Sequence, residues 1–221
     1  MILMFNLIRK TLPDTALLRR YVNSSRERVM FVLDSSGSMS SKDYKPSRIL
    51  ALKEAVKQFI QHRIAIDNKD EVGIVTFGSI AHVIFLPCAL EYCRDQVLEK
   101  VGAIKTGFST NIVDGLAKAN EILLKASLLS HATERIVLLS DGGHNDGGDP
   151  VRVADELKNR GIIIECIGIG AKGDRGLHED MLKEIASTRN GKLLYRWIGD
   201  SGELQKHFIE ISSKLVVNRK A

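Results

Sequence analysis

Asp34-Ser35-Ser36-Gly37-Ser38 sets one carboxylate and two hydroxyls on alternate positions. Oxygen-only donor sets of this kind select hard divalent cations such as Mg2+ over zinc. The motif directly follows an unbroken apolar run at residues 29–33, which reads as a fully buried strand. Its side chains therefore leave the C-terminal end of a strand, where open parallel sheets place their ligands. The same residue types also build plain turns and helix N-caps, so the motif alone leaves both readings open. Two distant stretches bear on the choice. Thr110 lies in the polar loop 105–111, and Asp141 follows a second strand candidate at 135–140 with an apolar centre at 136–139; each adds an oxygen at the end of an element.

Taken in chain order, Asp34-x-Ser36-x-Ser38, then Thr110 ahead of Asn-Ile-Val-Asp-Gly-Leu, then Ser140-Asp141-Gly142 resemble the metal-ion-dependent adhesion site of von Willebrand factor type A domains. The similarity runs from about residue 28 to residue 217. Three separated motifs in the family's order are far more specific than any one of them. The resemblance implies that the Ser36 and Ser38 hydroxyls bind a metal directly, that Thr110 joins them in the ligand-bound state, and that Asp34 and Asp141 act mainly through water. It implies Mg2+, with Mn2+ or Ca2+ as alternatives, and a last coordination position filled by an Asp or Glu of a partner protein. Few direct carboxylates leave such an ion electrophilic. For intracellular members it further implies an adaptor or regulatory arm of an ATPase or other enzyme complex.

No catalytic set accompanies these residues: there is no GxxxxGK, HExxH or GxSxG, and no Cys and His at a recognisable spacing. The expectation is a binding module and not an enzyme. The rival reading is a metal-dependent phosphatase or hydrolase of the aspartyl-phosphate type, which also begins with an Asp after a first strand. Ser36 stands where such enzymes usually carry a second carboxylate, and a hydroxyl cannot do that acid–base work at neutral pH. His144, Asn145, Asp146 and Asp149 crowd the loop after Asp141. Their spacing fits no calcium loop and reads as a turn-rich rim that shapes partner contact. Met39 reads as a lid or packing residue and not a ligand, and Asp114 as a first-turn acid favourable to a helix dipole.

These residues need a scaffold, and the remaining pattern predicts one. Short apolar runs alternate with longer amphipathic stretches, the signature of a doubly wound, Rossmann-like α/β fold. The expected sheet is central and mostly parallel, with helices on both faces and one antiparallel edge strand. Strands are expected at 29–33, 72–77, 81–86, 135–140, 162–169 and 192–198. Helices are expected at 47–64, 91–101, 113–129, 151–160, 177–187 and 203–217. Gly78-Ser79 is too short a link for a crossover, so the second and third strands form an antiparallel hairpin. The domain is expected over 28–217, after an N-terminal extension at 1–27 and before a tail at 218–221.

With 221 residues, 44% hydrophobic and 27% charged, the chain suits one sizeable soluble domain. The formal charge is +5, but Lys and Arg are scattered and no basic run is interleaved with aromatics, which argues against nucleic-acid binding; solvated faces account for most of these charges. Cys88, Cys93 and Cys166 form no CxxC pair. Neither a disulfide framework nor a zinc site follows, and a reducing, cytoplasmic setting is expected. The N-terminus runs apolar then basic, the reverse of a signal peptide, and no apolar run nears the ~18 residues of a membrane span. Membrane contact is expected only through residues 1–20, if at all.

Overall fold

The computed structural model describes residues 26–107, 109–145, 147–170 and 179–213. Its elements in chain order are β1 (Glu27–Asp34), α1 (Arg48–Ile66), β2 (Glu71–Phe77), β3 (Ala81–Ala89), α2 (Leu90–Ala103), α3 (Ile112–Ser127) and β4 (Thr133–Ser140). There follow α4 (Pro150–Asn159), β5 (Ile163–Ile169), α5 (Glu179–Ile185), β6 (Thr188–Arg189), β7 (Lys192–Leu193), β8 (Tyr195–Ile198) and α6 (Ser201–Ser213). Six strands form one sheet in the order β3-β2-β1-β4-β5-β8. Only β3 runs antiparallel, pairing β2 from Phe77 opposite Ala81, while β1, β2, β4, β5 and β8 are mutually parallel. The fold class is the expected doubly wound α/β arrangement.

A central parallel strand is covered on both faces, which is why β1 has no polar alternation in its middle. Val29, Phe31 and Leu33 point into one layer with side chains of α1, α2 and α6. Met30 and Val32 point into the other, with α3, α4 and α5. Phe31 meets Phe59 edge-on at 5.0 Å and stacks on Phe208 at 6.0 Å, tying α1 and α6 to the sheet. On the opposite face α3 lies close because Gly115 has no side chain: a Cβ there would stand 2.9 Å from Phe77 Cδ1 and 3.1 Å from Val32 Cγ1. Gly115→Ala should therefore destabilise the domain by about 1–3 kcal/mol through overpacking, despite the ~1 kcal/mol that alanine gains over glycine in a helix. Thermal unfolding checks this; an unchanged or higher Tm would show that α3 can move away freely.

The expected last strand at 192–198 is two strands. Leu194 interrupts it, its N–H donating to the Ser187 carbonyl at 2.8 Å while its own carbonyl accepts from Cys166 N at 2.9 Å. That turns β7 back onto β6 as a small hairpin and leaves only Tyr195–Ile198 for the main sheet. The closing helix begins at Ser201, with the Asp200 carboxylate accepting from Glu203 N at 2.8 Å. Glu27, assigned to the extension by its sequence, is buried in β1. The expected features at 1–25, 171–178 and 214–221 lie outside the described residues. Among the described residues no helix is long and apolar enough to cross a membrane.

Three arginines are exceptions to the solvated faces expected for most of the basic residues. Arg28, Arg63 and Arg135 are among the largest fully buried side chains, gathered where the parallel strands begin. Arg63 Nε meets Asp70 Oδ2 at 2.5 Å and its Nη2 lies 3.0 Å from Glu27 Oε2. Arg135 lies 2.9 Å from Glu27 and 3.3 Å from Glu165. Both arginines also donate into the end of α6, Arg63 to the Ser212 carbonyl at 2.6 Å and Arg135 to that of Ile211 at 3.2 Å. This network closes the end of the sheet opposite the oxygen-rich motifs.

Candidate metal centre

Asp34 is the last residue of β1 and is fully buried. A buried carboxylate needs partners, and Asp34 has two: Ser36 N donates to Oδ1 at 2.8 Å and Ser140 Oγ, from the end of β4, donates to Oδ2 at 2.7 Å. Ser35 N and Oγ both donate to the Phe77 carbonyl, at 2.8 and 2.9 Å, which pins the turn to the end of β2. The chain then makes a short 3-10 turn, Gly37–Ser40, with Met39 buried beneath it as the packing residue expected. The Ser36 and Ser38 hydroxyls end 3.0 Å apart, with Ser38 exposed and Ser36 buried.

Thr110 arrives on a loop clamped at three points. Gly107 N donates to the Ser35 carbonyl at 2.5 Å, Asn111 N to that of Gly78 at 2.8 Å, and Asn145 N to that of Thr110 itself at 2.9 Å. Asn111 then caps α3, its Oδ1 accepting from Asp114 N at 3.0 Å. Asp141 follows β4, and its Oδ1 and the Thr110 hydroxyl both lie 3.5 Å from where a Cβ on Gly143 would sit. Thr110 and Asp141 thus flank the small residue between them.

Asp34, Ser36 and Ser38 form one half of the site, and Thr110 with Asp141 the other. The halves are joined through adjacent Ser140 and Asp141. Burial, and then the neighbouring charge of Asp141, push the Asp34 carboxyl up to about 6, against hydrogen bonds from Ser36 and Ser140. Two crowded carboxyl groups and three hydroxyls are a donor set that a hard divalent cation fits. Among the described residues no group of three His, Cys, Asp or Glu could hold a metal. Any ion bound here relies on hydroxyl oxygens.

Two contributors were given no role by the motif reading. Ser140 orients Asp34, and its Oγ also accepts from Gly142 N at 3.1 Å; its place at a strand end beside Asp141 was the available signal. Arg48 Nη1 lies 3.0 Å from Asp141 Oδ2, and its Nη2 2.5 Å from Asp43. Nothing in residue type or spacing singles Arg48 out, because the contact exists only once α1 packs beside β4. The rim residues do structural work: Asp149 caps α4 through Val151 N at 2.9 Å, and His144 joins the Gly148 carbonyl (2.7 Å) to Ile112 N (3.4 Å).

The rim also presses on the Thr110 loop. Gly147 has φ +99°, and a Cβ there would stand within van der Waals overlap of the Asn111 side-chain amide. Gly147→Ala should cost about 2–3 kcal/mol, combining left-handed strain with loss of the Asn111 cap. Chemical denaturation reads that loss, and a change below about 0.5 kcal/mol would show the rim to be loosely seated.

Comparison with known proteins places the site in context. The family model described as von Willebrand factor type A domain matches residues 29–144, a span holding all five candidate residues. Calcium-activated chloride channel regulator 1 of Bos taurus is 29% identical over 208 residues, covering 92% of this chain and 20% of the regulator. The 26S proteasome non-ATPase regulatory subunit 4 of Drosophila melanogaster is 20% identical over 166 residues, covering 75% of this chain and 40% of the subunit. The chain therefore spans well under half of either relative. Among solved structures, von Willebrand factor type A from Catenulispora acidiphila superposes with a TM-score of 0.68 at 23% identity, over 86% of this chain and 42% of that one. Fold, motif order and family model agree, and this chain belongs to the von Willebrand factor type A domain family.

Proposed function

We propose that the chain is a protein-binding module, not an enzyme, whose partner donates an Asp or Glu to a divalent metal held at the ends of β1 and β4. What supports this reading is that Asp34, bonded to Ser36 N and leading into Ser36 and Ser38, is tied through Ser140 to the neighbouring Asp141, beside which Thr110 lies. Ser36, Ser38 and Thr110 would hold the ion through their hydroxyls, while Asp34 and Asp141 orient its water shell. Mg2+ is the proposed ion, Mn2+ and Ca2+ the alternatives; bound there, it supplies the electrophilic centre for an incoming carboxylate. The chain's part is preorganisation: Ser140 and Ser36 N–H fix Asp34, Ser35 fixes the turn, and the three clamps on loop 105–111 fix Thr110. Because hydroxyls are weak ligands, ion and partner should each raise the other's affinity by the same factor.

The relative named as a 26S proteasome regulatory subunit supports an adaptor role within a larger ATPase or other enzyme assembly. Three free cysteines support a reducing, cytoplasmic setting. The test is a pull-down from native lysate in Mg2+ buffer with EDTA elution and mass spectrometry, followed by titration of the recovered partner. Binding should vanish in EDTA and in Asp34→Ala. Partner binding that persists unchanged in both overturns the reading.

A further inference from the structure

A groove of about 620 Å3 opens beside the candidate metal centre. One wall is the β2–β3 hairpin, with Ile80, His82, Val83 and Ile84; the other is the end of α2 and the start of the 105–111 loop, with Lys100, Ile104 and Lys105. Ser35, Thr106 and Gly107 close the end nearest the site, so the groove is continuous with the residues that flank Ser36 and Thr110. Its hydrophobic lining is left open: Ile80 is 59% and Val83 43% exposed. None of the lining residues is acidic, while Lys100 and Lys105 stand exposed on one wall. Apolar side chains in a groove with cations and no anion fit a peptide that carries both apolar and acidic residues. The β3 edge carries no Lys, Arg, Asp or Glu over Ala81–Ala89, although Pro87 and the register shifts against β2 interrupt it further from the groove.

We propose that this groove binds an acidic, apolar segment of the same partner, next to the residue that reaches the metal. This rests on the function proposed above, which names the carboxylate but not its surroundings. An apolar side chain of the segment enters between Val83 and Ile104, and its flanking carboxylates face Lys100 and Lys105. Specificity then comes from residues beside the metal-bound acid, because the ion by itself accepts any carboxylate.

The test follows backbone amide shifts of the labelled protein with three millimolar peptides, Ac-Leu-Asp-Glu-Leu-NH2, Ac-Leu-Asn-Gln-Leu-NH2 and Ac-Leu-Lys-Lys-Leu-NH2, in Mg2+ and in EDTA. The acidic peptide should shift amides of residues 79–84 and 100–107, and bind about tenfold more weakly to Lys100→Glu/Lys105→Glu, the scale of two exposed charge pairs lost and reversed. The amide and lysine peptides should leave the groove unshifted. Mg2+-induced shifts at Ser36 and Thr110, measured without peptide, should survive in the double variant. Acidic-peptide binding that ignores the double substitution, or equal groove shifts from the amide peptide, overturns the groove while leaving the metal reading intact. Groove shifts that persist at full affinity in EDTA, without Mg2+-induced shifts at Ser36, uphold the groove and sink the metal reading instead.

Discussion

Arg63→Met should lower the free energy of unfolding by about 3–5 kcal/mol, the usual cost of removing one partner from a buried ion pair. The reason is what stays behind. Arg63 bridges Asp70 and Glu27, both buried, and donates to the Ser212 carbonyl. Methionine fills much of the same volume but leaves two carboxylates facing each other across a dry space and a helix-terminal carbonyl without its donor. Glu27 still has Arg135 at 2.9 Å, which keeps the loss below that of stranding a lone charge. Denaturant titration gives the number directly. A loss under about 1 kcal/mol would mean that water reaches this end of the sheet. Adding Asp70→Asn to Arg63→Met should recover part of the loss, since it removes the stranded charge while keeping an acceptor for Glu27 N–H and leaving Glu27 paired with Arg135.

The second large effect is expected at the metal. Ser36→Ala should weaken Mg2+ uptake by at least about 100-fold, beyond what loss of an orienting group costs, whereas Ser140→Ala, which leaves Asp34 Oδ2 without its donor, should weaken it by about 10–100-fold. Isothermal calorimetry or amide shifts on Mg2+ titration measure both. The fold should tolerate Ser36→Ala, which removes one hydroxyl contact worth about 1 kcal/mol and leaves Met39 and the clamps of Ser35 in place. Equal Mg2+ affinity in wild type and Ser36→Ala would remove the hydroxyls from the ligand set, and with them the proposed mode of binding.

The fold was legible where periodicity and chain order speak. Largely apolar runs marked β1, β4 and β5, Gly78-Ser79 forced the β2–β3 pair to be antiparallel, and the helix expected at 151–160 is α4. The break at Leu194 was not legible, because an apolar residue that turns a strand aside looks like one that continues it. Its position is set by pairing with Ser187 and Cys166, both distant in sequence. Of the candidate site, the five oxygen residues were legible as motifs, whereas Ser140 was quoted only as part of the Ser140-Asp141-Gly142 motif without a role and Arg48 was not named, since each works through a contact made only after folding.

Local sequence thus determined which oxygen-bearing residues stand at the ends of β1 and β4 and in the loop before α3, because side-chain chemistry and the alternation of buried runs are written residue by residue. Tertiary structure alone decided that Arg28, Arg63 and Arg135 lie inside, that Arg48 reaches Asp141, and that an apolar groove with two lysines adjoins the site. A charged side chain carries no mark of burial in its own neighbourhood; whether it is solvated or paired depends on which carboxylates the packed helices and strands bring within a few ångströms of it.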